Sequence, residues 1–159
     1  MTSPTPGSTP GTDLDMAHLG LGRDITAEDV VDNLSFFDDW EERYGYIIDL
    51  GKQLPPFPDA LKTEDRFIRG CQSQVWLELQ HDAGNDCLHM AVDSDALIVR
   101  GLAAIVLAAL NHKTPQQIAD YDMADYFEKI DLLKHLSPTR GNGVRAMVSR
   151  IQNEARSRL

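Results

Sequence analysis

Between Trp40 and Leu54 the large apolar residues fall at Trp40, Tyr44, Ile47, Ile48 and Leu54, with Glu41, Glu42, Arg43 and Asp49 between them. This spacing puts the first set on one stripe of a helix and the second in water. Pro55-Pro56-Phe57-Pro58 ends the helix, because proline cannot continue it and restricts the residue before. Upstream, Thr26-Ala27-Glu28-Asp29 ahead of Val30, Val31 and Leu34 has the form of a capping box and predicts a short first helix.

The period then changes. From Gln74 to Gln80, Val75, Leu77 and Leu79 alternate with Trp76, Glu78 and Gln80, the pattern of a half-buried strand. Asp82-Ala83-Gly84-Asn85 supplies turn chemistry, and Cys87 to Val92 returns as the antiparallel partner. Ser94 is placed to cap a helix carrying the apolar run Leu97 to Leu110, apolar nearly all round and therefore central. Thr114-Pro115-Gln116-Gln117 is a second capping box with proline at the first helical position. Met123, Tyr126, Phe127, Ile130 and Leu133 form another helical stripe, Ser137 to Gly141 breaks the chain, and Val144, Met147, Val148, Ile151 and Ala155 line a last helix. The order predicts an α+β domain, a small antiparallel sheet packed against several helices.

Met1 to Thr12 is almost wholly Ser, Thr, Pro and Gly and buries too little to offset the entropy of ordering. The reading is a disordered tail over 1–22 and a single domain over 23–159. A chain of 159 residues is long enough for one core without disulfide staples. Its longest apolar run, Gly101 to Leu110, is half the roughly 20 residues of a membrane span. No Lys or Arg precedes Arg23 and no apolar h-region is present, so a cytoplasmic protein is expected. A net charge of −10 and a pI near 4.8 argue against nucleic acid or an anionic membrane as main partner. Basic residues cluster at the C-terminal end, where Lys134, Arg140, Arg145, Arg150, Arg156 and Arg158 face only Glu154.

Two cysteines cannot build a disulfide framework, so each thiol is weighed separately. Cys71 lies in the polar stretch Gly70-Cys71-Gln72-Ser73-Gln74 just before the first strand. Gly70 permits a tight turn, the following polar side chains can donate hydrogen bonds to a thiolate, and Arg66 or Arg69 would lower its pKa. Cys87, sharing a strand face with His89 and Ala91, is expected to be a small core residue. A zinc set of Cys71, Cys87, His81 and His89 lacks the usual ligand spacing, so no metal ligands are assigned. His18, His112 and His135 are scattered, and nothing aligns one of them with Cys71 as the base of a cysteine hydrolase. Phosphate-loop, dinucleotide, nucleophile-elbow and metalloprotease patterns are absent.

Gly70 to Trp76 (GCQSQVW), with Trp40 to Tyr44 (WEERY) and Tyr46 to Gly51 (YIIDLG) upstream, resembles the SufE/CsdE family of sulfur-acceptor proteins. Asp93 to Ala96, Ile98 to Leu102, Thr114 to Gln116, Phe127 to Lys129 and Leu136 to Arg140 are similar to further blocks of that family, in its order. The resemblance runs from about Asn33 to Ile151. It implies an α+β fold related to the iron–sulfur scaffold of the IscU type, and a persulfide carrier rather than a stand-alone enzyme. In that role Cys71 takes the outer sulfur from the active-site cysteine of a SufS/CsdA-type cysteine desulfurase. It relays the sulfur to iron–sulfur assembly on a SufB-type scaffold.

The same resemblance implies no cofactor of the chain's own, since pyridoxal phosphate belongs to the partner. It gives Arg140 a place as the arginine following Ser-Pro-Thr and Asp95 a place near the cysteine loop. Gly70, Gln72, Ser73 and Gln74 would support the persulfide or meet the partner. Trp76 is expected in core or sheet-face packing. A homodimer stays open, and the alternative reading is an iron–sulfur or zinc-binding scaffold module of IscU-like fold.

Overall fold

The computed structural model describes residues 16–70 and 73–159. The tail expected over Met1 to Thr12 therefore lies outside the described residues, as do Cys71 and Gln72. Helix α1 (Ala27–Ser35) opens on the capping box: Asp29 N–H donates to Thr26 Oγ1, and Thr26 N–H donates to Asp29 Oδ2 at 3.0 Å. Helix α2 (Trp40–Gly51) is capped by Asp39, whose carboxylate accepts Glu42 N–H at 2.8 Å. Leu54 lies past the helix end, in a turn that still buries it.

Strands β1 (Val75–Asp82) and β2 (Cys87–Ser94) form an antiparallel hairpin with Val75 opposite Ser94 and Asp82 opposite Cys87. Asp82 shapes the turn by accepting Gly84 N–H at 3.1 Å and Asn85 N–H at 3.2 Å. Helix α3 (Leu97–Leu110), buried continuously from Gly101 to Leu110, is the centre of the core. It packs against α2, against β2 and against the last helix. Helices α4 (Pro115–Asp120), α5 (Met123–Lys129) and α6 (Pro138–Arg156) complete the shell. Among the described residues this is an α+β fold of six helices and one two-stranded sheet.

Three local expectations are corrected. Ser94 ends β2 instead of capping α3; its Oγ accepts Ala96 N–H at 3.2 Å, and the N-cap position is Ala96. The stripe from Met123 to Leu133 is not one helix, because Asp131 takes a left-handed φ of 54° and a 3₁₀ turn follows at Leu133–His135. The polar tail does not extend to residue 22: Met16, Leu19 and Leu21 are buried. Leu19 and Leu21 join the main core, and the backbone carbonyl of Leu21 accepts the side-chain amide of buried Asn111 at 3.0 Å. Asn111 Oδ1 in turn accepts Met90 N–H at 2.8 Å, so one buried amide ties this segment to β2.

Trp76 sits on the sheet face it shares with Ala91 of β2, packed with Met16 and Phe57, with Lys62 Nζ 5.2 Å from its ring centroid. No helix among the described residues is long and apolar enough to cross a membrane.

Candidate functional site

The chain reaches the cysteine loop along the edge of β1. Leu77 N–H donates to Arg66 C=O and Ile68 N–H donates to Val75 C=O, each at 2.9 Å, so the segment before the loop runs as a short ladder beside the strand. The second of these bonds closes a neck around residues 69–74, the stretch that contains Cys71. Gly70 has φ +95°, in the left-handed region, and a Cβ there would meet Ala146 Cβ at 3.4 Å. The turn into the cysteine therefore favours glycine for its backbone angles, while a Cβ there would only come into ordinary contact with α6.

On the exit side, Gln74 N–H donates to Asp95 Oδ1 at 3.1 Å, which fastens the loop to the approach of α3. Ser73 lines a small pocket of about 40 Å³ together with Val99 and Leu102 of α3 and Thr139, Arg140, Gly143, Val144 and Met147 of α6. The floor is apolar, while Thr139 and Arg140 belong to the first turn of α6, where the backbone N–H groups leave a partial positive charge.

Two of the three arginines singled out near the loop are paired with carboxylates. Arg66 is engaged by Glu78, Nε to Oε2 at 3.0 Å, and Arg69 is paired with Glu64 and lies 5.8 Å from the Phe67 ring centroid. Arg140 is the cation on the pocket wall beside Ser73. Ser73, Gln74, Asp95 and Arg140, which the sequence spreads over 68 positions, thus meet around one loop. Asp95 precedes the helix and holds the loop's backbone. Val99, Leu102, Val144 and Met147 carry no functional signal in the sequence, because each reads as an ordinary core position at helical spacing. The pocket exists only where the stripes of α3 and α6 fail to close over each other.

Of the set weighed for zinc, Cys87 and His89 do approach, with Sγ and Nε2 3.8 Å apart, whereas His81 pairs with Asp86 at 3.0 Å. Cys87 lies at the far end of the hairpin. Val75 and Asp82, its partner in register, are seven residues apart, about 23 Å of strand rise. The four residues from Cys71 to Val75 reach at most about 14 Å. A disulfide between the two thiols, which needs Cα atoms within about 7 Å, is therefore out of reach while the hairpin is intact.

A family model described as "SufE: Fe-S metabolism associated domain" matches residues 28–155. An uncharacterized SufE-like protein of Rhizobium meliloti (strain 1021) is 46% identical over 134 residues, covering 83% of this chain and 96% of that protein. A second uncharacterized SufE-like protein, from Rhizobium etli, is also 46% identical over 134 residues, covering 82% of this chain and 90% of its own. The fold is similar to the solution structure of a hypothetical protein from Thermus thermophilus, with a TM-score of 0.67 at 16% identity over 82% of this chain and 93% of that one. With the matched segment running from α1 to the end of α6 and enclosing the necked cysteine loop, the chain belongs to the SufE family, whose domain is associated with iron–sulfur metabolism.

Proposed function

We propose that this protein is a covalent sulfur carrier in which Cys71 accepts sulfane sulfur from a cysteine desulfurase and passes it to an iron–sulfur assembly scaffold. In the loading step the Cys71 thiolate attacks the outer sulfur of the partner's cysteine persulfide. A new S–S bond forms on Cys71, the partner's S–S bond breaks, and the partner's cysteine leaves as thiolate. The chemistry is that of thiol–disulfide exchange, needing a thiolate, an open approach and a stabilised anion, and no cofactor on the accepting chain.

The observation that carries this reading is the pairing of a necked loop around residues 69–74 with an adjoining small pocket. Cys71 is two residues along the chain from the pocket-lining Ser73, a Cα-to-Cα span of at most about 7 Å. The apolar floor would keep water from a terminal sulfur, and Arg140 with the first turn of α6 would favour its anionic form. A pocket of about 40 Å³ compares with about 10–15 Å³ for one water, so it accepts a side-chain end and excludes a substrate molecule. That size favours a carrier whose second reactant is another protein.

Intact-mass measurement after incubation with a pyridoxal-phosphate-dependent cysteine desulfurase and L-cysteine tests the proposal. The expected result is adducts of about 32 Da, reversed by dithiothreitol, on the wild type and on Cys87→Ser but not on Cys71→Ser, with desulfurase stimulation lost in Cys71→Ser alone. Equal loading of Cys71→Ser would overturn it.

A further inference from the structure

At the end of the hairpin away from the cysteine loop, the register sets Asp82 opposite Cys87, and the two-residue period of a strand puts His89 on the same face as Cys87. Three donor atoms of different chemistry converge there. His89 Nε2 is 3.2 Å from Asp82 Oδ2 and 3.8 Å from Cys87 Sγ, and all three atoms lie within 4.8 Å of one another. Ligand atoms around a tetrahedral zinc ion, bonded at about 2.0–2.3 Å, stand about 3.3–3.7 Å apart. Cys87 and His89 are buried and Asp82 is half-buried, so the donors are presented by the fold.

The hydrogen bonds behind His89 decide which of its nitrogens carries the proton. His112 Nε2 lies 2.7 Å from the backbone carbonyl of Leu19, which only accepts, so that nitrogen bears hydrogen. Neutral His112 then has a bare Nδ1, and His89 Nδ1, 2.7 Å away, must donate to it. His89 Nε2 is then directed at Asp82 Oδ2, 3.2 Å away, an oxygen that also accepts the Asn85 side-chain amide at 3.0 Å. Leu19 and His112 thus engage His89 through Nδ1 and leave its Nε2 directed at Asp82 and Cys87, the orientation that metal-binding imidazoles adopt.

We propose that Asp82, Cys87 and His89 bind one divalent metal ion of the zinc class, with His112 as the positioning residue behind His89. Carboxylate, imidazole and thiolate form a borderline donor set suited to zinc, and three protein ligands leave a fourth position open. That position faces a cleft of about 590 Å³ whose wall includes His18 and Arg23. On binding, the Cys87 thiol gives up its proton to solvent and bonds to the ion as thiolate. Thiolate and carboxylate together cancel the ion's charge, so Arg23 does not oppose the assembled site. The ion would clip the hairpin turn closed and, through His112, fix the segment around Leu19. This proposal is independent of the persulfide reading, since none of its ligands belongs to the 69–74 loop.

The test uses the full chain, stripped with chelator and titrated with cobalt(II), and separately native mass spectrometry with zinc. One ion per chain is expected, with thiolate-to-cobalt charge-transfer absorption that is lost in Cys87→Ser and His89→Gln and retained in Cys71→Ser. Asp82→Asn, at the half-exposed ligand, should keep the far-ultraviolet circular dichroism of the wild type and bind at least about ten-fold more weakly. His112→Phe should weaken binding about 10–100-fold and keep the thiolate band. Absence of a stoichiometric ion in the wild type, unchanged affinity in Asp82→Asn, or a thiolate band that depends on Cys71 would each overturn the proposal.

Discussion

Asp95 Oδ1 accepts the backbone N–H of Gln74 at 3.1 Å, so the exit of the cysteine loop is held by a carboxylate on the approach to α3. A carboxylate–amide bond is charge-assisted and fixes the backbone three residues from Cys71 without using that residue's own groups. Asp95→Ala should leave the core intact because Asp95 is exposed, lowering stability by no more than about 1.5 kcal/mol. It should, however, raise the rate of Cys71 alkylation several-fold relative to the wild type. Asp95→Asn, which keeps an acceptor oxygen, should fall between the two. An alkylation rate identical in all three proteins would separate Asp95 from the control of the loop.

Arg140 makes a different kind of prediction, because it lies on the wall of the pocket beside Ser73 and is exposed. A guanidinium there favours the charged form of a neighbouring thiol or persulfide. Arg140→Gln should therefore shift the pH profile of Cys71 alkylation to higher pH and slow sulfur loading, with the melting temperature unchanged. Arg140→Lys should restore the pH profile more than the loading rate, since lysine supplies the charge and not the planar fork. An unshifted profile in Arg140→Gln would assign the residue to partner docking alone.

Where the determinants are local, the chain is readable. The capping boxes at Thr26 and Thr114 each form both of their reciprocal hydrogen bonds, and the turn residues Asp82 to Asn85 join two strands in the register that alternation requires. The GCQSQVW stretch marks the loop by its residues alone. What the sequence hides is non-local. Leu19 and Leu21 sit in a polar neighbourhood and look like tail, yet His112 and Asn111, about ninety positions away, accept the segment into the core. The pocket beside Ser73 is likewise a shortfall between two helix stripes, each of which reads as fully buried. Asp82 reads as a turn former, and only the pairing with Cys87 shows that its second oxygen faces a histidine.

The contact between α2 and α3 rests on two glycines, and a third glycine serves as its control. A Cβ on Gly101 would land on the Ile47 carbonyl group, its carbon at 2.8 Å, and one on Gly51 would lie 2.7 Å from the Gly101 nitrogen. Gly101→Ala gains helix propensity of about 1 kcal/mol but forces the helices apart, and overpacking of this kind costs typically about 1–3 kcal/mol. With backbone as the obstacle the loss should dominate, by up to about 2 kcal/mol, lowering Tm by up to about 4–8 °C. Gly45, on α2 with nothing within 4 Å of the position its Cβ would take, should behave oppositely. Gly45→Ala is expected to raise stability by about 0.5–1 kcal/mol. Thermal unfolding of the two variants under one buffer checks the contrast, and a Gly101→Ala protein as stable as Gly45→Ala would show the helices to be free to separate.

Tyr126 sets the alkaline limit of the core. Its side chain is buried, its hydroxyl donates to Ile105 C=O of α3 at 2.9 Å, and burial pushes its pKa far above the ordinary tyrosine value. The unfolded chain exposes the same phenol with a pKa of about 10. Below that pH both states are protonated and the contribution to stability is constant. Above it the unfolded state ionises while the folded state cannot, so stability falls as pH rises, by up to about 1.4 kcal/mol per pH unit for this one proton. Tyr126→Phe removes the titration and also the hydrogen bond, costing about 1 kcal/mol at pH 8. The Tm difference between the two proteins should therefore shrink from pH 9 to pH 11, with the phenylalanine variant showing the flatter curve, because the proton that burdens the wild type is no longer there to lose.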